Sequence, residues 1–189
     1  VFPIRHLFLR NILKFLKFYH IMIPGDFMAT KTNAVRLVQQ AGIPCREAWY
    51  DFDENDLSGM HAAEAVGLPP EQVFKTLVAR GAKNGILVFC IPVCCELDLK
   101  KAAKASGDKS IELLPVKDLL ATTGYIKGGC SPIGMKKLVP TFIDKSRENF
   151  DSIIFSGGKI GKQVQVGVSD VVSLTRAKLE FICKEEPCL

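Results

Sequence analysis

The chain is poor in the residues that usually carry hydrolytic chemistry. Of its three histidines only His61 lies beyond Met28, and no acidic residue stands near it in a triad-like context. That excludes a Ser-His-Asp nucleophile system and a zinc-deaminase arrangement. Paired-carboxylate motifs are also missing. The seven cysteines, Cys45, Cys90, Cys94, Cys95, Cys130, Cys183 and Cys188, contain no Cys-x-x-Cys pair, and none is spaced from a histidine as zinc ligands are. Their odd number and apolar settings predict reduced, partly buried thiols, with no metal and no cofactor, in a cytoplasmic protein. A large excess of one charge is lacking too. A net charge of +5 neither requires nor forbids contact with RNA, which needs local basic patches.

No apolar run is long enough to span a bilayer, so no membrane partner is expected. Residues 1–27 nevertheless differ from the rest. They are rich in Phe, Ile and Leu, carry Arg5, Arg10, Lys14 and Lys17 against Asp26 alone, and lack a secretory cleavage site. They are expected to be a non-native or upstream leader, disordered and without function, with Met28 as the native start. Residues 28–189 then form one domain, long enough to bury a core unaided.

What is present is a mixture of short elements. Apolar stripes predict helices over residues 30–41, 60–66 and 99–105, a further helix between Pro115 and Gly124, and a last one capped by Ser169. Ser58 and Asp98 are read as the caps of the second and third. Strands are predicted over 46–52, 73–80, 86–92, 110–114, 141–144, 152–156, 163–168 and 179–183. This order lacks regular β-α-β alternation and predicts an α+β fold: a curved, barrel-like mixed sheet with surrounding helices.

Three features can carry chemistry. Lys75 shares a strand face with Val73, Leu77 and Ala79, which places one ammonium among small apolar neighbours. It suits an anion or developing oxyanion, or else a snorkelling edge lysine. The run Thr123–Gly134 holds four glycines and Pro132, a composition that exposes backbone N–H groups to a ligand oxygen. Phe155-Ser156-Gly157-Gly158-Lys159 reads as a strand ending in a second glycine turn. Around these lie Lys100, Lys101, Lys104, Lys109, Lys136, Lys137, Lys159 and Lys162, which suit phosphate contacts or a solvated surface equally well.

Several blocks occur together in order: Val73-Phe74-Lys75-Thr76-Leu77, Leu97–Lys104, Thr123-Gly124-Tyr125 running into Gly128–Gly134, Pro140-Thr141, and Ser156–Lys159. In this the chain resembles the YbaK/EbsC family of trans-editing deacylases, over residues 32–184. The resemblance implies a pocket for the aminoacylated 3′ end of tRNA. Lys75 stands at the family's essential lysine and Tyr50 at a pocket aromatic. Gly128, Gly129, Cys130, Ser131 and Pro132 match a substrate-contacting loop, and Ser156 with Gly157 a second pocket element. Gln163 departs from the family, since relatives can be acidic there. The implied activity is hydrolysis of cysteine mischarged onto proline tRNA, assisted by the substrate's own thiol, with prolyl-tRNA synthetase as a partner. Rival readings are a deacylase for alanine or another small residue, and a non-catalytic tRNA- or synthetase-binding module.

Overall fold

The computed structural model describes residues 31–53, 56–146 and 150–185. The expectations for residues 1–27 lie outside these. Helix α1 (Asn33–Gln40) begins where the Thr32 hydroxyl accepts from the Val35 N–H. It buries Ala34, Val35 and Val38, one stripe at helical spacing. Strand β1 (Cys45–Trp49) follows, then α2 (Gly59–Val66), capped by Ser58 and closed by Gly67 in the left-handed conformation. Strands β2 (Val73–Gly81) and β3 (Gly85–Pro92) form a hairpin. Helix α3 (Leu99–Ser106) is capped by Asp98, as its sequence predicts. Then come β4 (Ile111–Leu113), α4 (Val116–Thr123), β5 (Thr141–Asp144), β6 (Ser152–Lys159), β7 (Lys162–Gly167), α5 (Val168–Thr175) and β8 (Lys178–Glu180).

The strands form one mixed sheet in the order β1-β7-β6-β2-β3-β5-β8, with β4 paired to β2. The α+β expectation therefore holds: eight strands in a mixed sheet, with five helices among the described residues. One sheet face packs on α1 through Phe74, Val88, Ile143, Phe155 and Val164. The other packs on α3 through Leu87, Phe89, Ile91 and Phe142, where the rings of Phe89 and Phe142 stack at 5.3 Å. Each such buried side chain contributes about 1.5–3 kcal/mol.

Four local expectations need correction. Gly157-Gly158 is not the turn: β6 runs through it with a register shift, and the turn falls at Ile160-Gly161. Gly161 has φ +74°, and a Cβ there would sit 2.7 Å from the Tyr50 carbonyl oxygen, so glycine is needed. Helix α5 starts at Val168 after Gly167, with no side-chain cap from Ser169. Strand β8 ends at Glu180 because the Asp144 carboxylate takes the N–H groups of Ile182 and Cys183, at 2.9 and 3.1 Å. Lastly, Cys94 is disulfide-bonded, whereas all thiols were expected to be reduced.

The sheet contains a gap that matters for function. One edge of β2 is occupied by β3 from Phe74 to Gly81. Its other edge is shared: β6 pairs with Val73 and Phe74, and β4 with Ala79 to Gly81. Among the described residues, Lys75, Thr76 and Leu77 therefore have no strand neighbour on that edge. Beyond Phe155 the bulge at Gly157-Gly158 lets β6 splay away from β2.

Candidate active site

A cavity of about 350 Å³ lies in this gap. At about 30 Å³ per water it holds roughly ten waters, enough for an aminoacyl group and part of a ribose. Lys75 and Thr76 of β2, Ser156 and Gln163 of β6 and β7, and Leu113 and Val116 of β4 and α4 line it. Tyr50, Gly128 and Cys130 also line it, as do Ser58 and Gly59 at the start of α2. The positive end of that helix adds to the electropositive character set by Lys75 and by Lys127.

Lys75 is held in place. Its Nζ donates to the Val93 carbonyl oxygen at 3.1 Å. Desolvation lowers its pKa from 10.5, and the nearby Cys95, Cys183 and Glu96 oppose that shift. The ammonium is thus half-buried, oriented and short of a full carboxylate partner, the state in which a cation acts most strongly on a substrate oxygen.

Tyr50 is fixed by the β6–β7 turn. Its N–H donates to the Gly161 carbonyl oxygen at 3.0 Å. Burial pushes its phenol pKa up, while hydrogen bonds from the Gln163 amide and the Gly161 backbone oppose that. His61 meets the Tyr50 ring edge-on at 5.9 Å and does not line the cavity. Gln163, opposite Ser156 across the β6–β7 ladder, is 5% exposed, and its Oε1 has no hydrogen-bond partner. A buried, unpaired acceptor costs about 1–3 kcal/mol, which a ligand donor would recover.

The glycine loop is anchored from behind. The Tyr125 hydroxyl donates to the Ile133 carbonyl oxygen at 2.7 Å, and the Asn33 amide to that of Gly134 at 2.8 Å. The Thr32 hydroxyl donates to the Gly157 carbonyl oxygen, tying α1 to the bulge. Of the sequence candidates, Tyr50, Lys75, Gly128, Cys130 and Ser156 converge on the cavity. Gly129, Ser131, Pro132 and Gly157 do not line it. Ser131 is fully buried, and the Gly129 N–H is already given to the Ile126 carbonyl oxygen at 3.0 Å. Gly128 and Cys130 remain as the loop residues facing the ligand space. The Cys130 thiol, pushed up to about 12 by burial, stays protonated and is no nucleophile.

The basic residues divide. Lys127 lines the cavity, while Lys101 and Lys104 line a separate groove with Asp144 and Glu180. Lys162, grouped with the phosphate-contact candidates by sequence, is buried: it is 1% exposed, 2.7 Å from Glu47 and 3.9 Å from the Trp49 ring centre. Sequence reasoning also missed Ser58, Leu113, Val116 and Lys127. None carries a local pattern that separates a cavity wall from ordinary surface.

Against known proteins, residues 58–174 match the family described as the aminoacyl-tRNA editing domain. The chain belongs to this family. Within it, the chain is 47% identical over 156 residues to an Enterococcus faecalis protein, EbsC, provisionally named a Cys-tRNA(Pro)/Cys-tRNA(Cys) deacylase; the match covers 82% of this chain and 95% of that one. A proline–tRNA ligase of Brachyspira hyodysenteriae is 24% identical over 131 residues, which is 65% of this chain and 23% of the ligase. A crystal structure provisionally described as a trans-editing enzyme for prolyl-tRNA synthetase superposes with a TM-score of 0.69 at 23% identity, covering 82% of this chain and 99% of that one. That likeness shows a shared fold. As an editing-domain protein the chain is an aminoacyl-tRNA deacylase, a hydrolase of the aminoacyl ester. Among its described residues no helix is long and apolar enough to cross a membrane.

Proposed function

We propose that this deacylase removes cysteine from mischarged Cys-tRNA(Pro) in trans, using the thiol of the substrate as the nucleophile. The observation that carries the reading is a cavity with a fixed cation and no activated nucleophile of its own. Among the described residues Lys75 lines it, no histidine does, and Cys130, the one cysteine there, is held protonated. The catalyst then supplies position and electrostatics.

In the proposed reaction the substrate sulfur attacks its own ester carbonyl. The bond from that carbon to the ribose oxygen breaks, and the thiol proton passes to the ribose oxygen. The resulting four-membered thiolactone is opened by water to give cysteine, beside the free tRNA. Lys75 faces the negative charge that develops on the carbonyl oxygen, helped by the backbone N–H groups of Gly128 and Cys130. The unpaired Oε1 of Gln163 accepts from the α-ammonium of the aminoacyl group. Size alone does not bar alanine from such a site, so selection rests on the thiol. The match within a proline–tRNA ligase supports work beside that synthetase in the cytoplasm.

The test blocks the sulfur. S-methylcysteinyl-tRNA keeps the ester and the sulfur but carries a methyl group in place of the thiol proton, so it cannot attack, and its kcat/KM is expected to fall at least about a hundredfold, the scale of a lost intramolecular nucleophile. Turnover at the cysteinyl rate would remove the thiol from the mechanism.

A further inference from the structure

Three large apolar side chains stand exposed on β4 and α4, the two elements that border the cavity. Leu113, at the end of β4, is 50% exposed, and Val116 and Leu120 on α4 are 60% and 54% exposed. Pro115 turns the chain between β4 and α4, and Val116 and Leu120 lie one helical turn apart on one face. Single exposed leucines need no explanation. Here, however, two of the three, Leu113 and Val116, also line the cavity. The apolar surface is therefore continuous from the ligand space to the outside.

We infer that this face is the platform for the terminal nucleoside of the aminoacyl-tRNA. The inference rests on the deacylase reading. The carbonyl that meets Lys75 is bonded through one oxygen to the terminal ribose. The nucleoside must then leave by the mouth, within one sugar of Lys75, and Leu113, Val116 and Leu120 form the wall it meets. A base has an apolar face whatever its identity, so such a wall holds it without reading sequence. The surrounding charge suits a polyanion. Lys117 is exposed on α4, and Lys127 and Lys136 are exposed beyond its C-terminal end. The stem of Lys136 lies against Gly124, where a Cβ would be 3.2 Å from its Cγ. Against these stand Glu112 and Asp118. Lys127, at the cavity wall, is placed for the phosphate that precedes the terminal nucleoside.

The experiment compares two substrates that share the cysteinyl ester. Cysteinyl-tRNA carries the nucleoside and cysteine methyl ester does not. In the doubly substituted Val116→Ser, Leu120→Ser protein, shown to be folded by circular dichroism, the ratio of kcat/KM on cysteinyl-tRNA to kcat/KM on the methyl ester is expected to fall about tenfold, the loss of the apolar contact that two side chains make with the base. An unchanged ratio overturns the platform. So does a concentration-dependent dimer of the wild-type protein that the substitutions disperse, because a second copy would then be the occupant. Should the wild-type protein hydrolyse neither substrate, the deacylase reading itself fails. The platform is then judged by binding of uncharged tRNA: weaker binding by the variant upholds it, and equal binding overturns it.

Discussion

Lys75→Ala is expected to abolish deacylation and leave the fold in place. The loss in kcat/KM should be at least about 10²–10³-fold, the scale on which single oriented electrostatic groups act in water-poor sites. The side chain is half-exposed and makes one hydrogen bond, to the Val93 carbonyl oxygen at 3.1 Å. Its removal should cost no more than about 1 kcal/mol of stability, so a folded, inactive protein is the expected outcome. The pH dependence adds a second readout. The substrate thiol must ionise to attack, so the rate, corrected for spontaneous ester hydrolysis, rises as pH approaches the usual thiol value of about 8.5. The ammonium of Lys75 must be present, and its pKa lies below 10.5 because burial disfavours the cation. Activity therefore falls as pH rises through that depressed value, giving a bell whose alkaline limb belongs to Lys75. In Lys75→Arg, whose guanidinium does not titrate in this range, residual activity should lose the alkaline limb. A Lys75→Ala protein that turns over at the wild-type rate would contradict the assignment.

The second large effect is on stability. Lys162 on β7 pairs with Trp49 of β1 in the antiparallel ladder, and Glu47 lies two residues along the same face. The Lys162 side chain is 1% exposed and that of Glu47 is 26% exposed. Taking Lys162 out of water is offset by the Glu47 carboxylate at 2.7 Å and by the Trp49 ring at 3.9 Å. Glu47→Ala removes the carboxylate and strands the cation. Stranding a fully buried charge costs about 3–5 kcal/mol, and the partial exposure of Glu47 brings the expected loss down to about 2–3 kcal/mol. Lys162→Met keeps the volume and removes the charge, so it should be close to neutral. The double substitution should recover most of the loss seen in Glu47→Ala. Urea denaturation of the three variants measures the cycle. A Glu47→Ala protein as stable as the wild type would show that the ammonium reaches water.

Much of this fold was written locally. The caps at Ser58 and Asp98 and the β2–β3 hairpin follow from short-range patterns and stand where the sequence puts them, whereas the stripe of α1 keeps Val35 and Val38 but takes Ala34 in place of Ala41, which caps the helix and is exposed. Reading failed where a residue type has two structural uses. A glycine pair serves a turn or a bulge equally well, and in β6 it serves the bulge. A lysine at the start of a strand looks like surface, and what buries Lys162 is Glu47 and Trp49 on a distant strand. For the site, Lys75 and Ser156 came from local pattern and from resemblance to a family, and Tyr50 from the resemblance alone; their convergence on one cavity comes from topology. The gap along β2 exists because β4 and β6 each cover only part of one edge. That division of an edge between two distant strands has no sequence signal. The apolar wall of Leu113 and Val116 was illegible for the same reason.

The measurement that tests the central claim most directly is release of amino acid from purified Cys-tRNA(Pro) and Ala-tRNA(Pro) under identical single-turnover conditions. Rapid loss of cysteine, with alanyl-tRNA hydrolysed at least about tenfold more slowly, is the predicted result, because only cysteine brings the nucleophile that the cavity lacks. Equal or faster release of alanine would contradict it and make this protein a deacylase for small residues that does not depend on the substrate thiol.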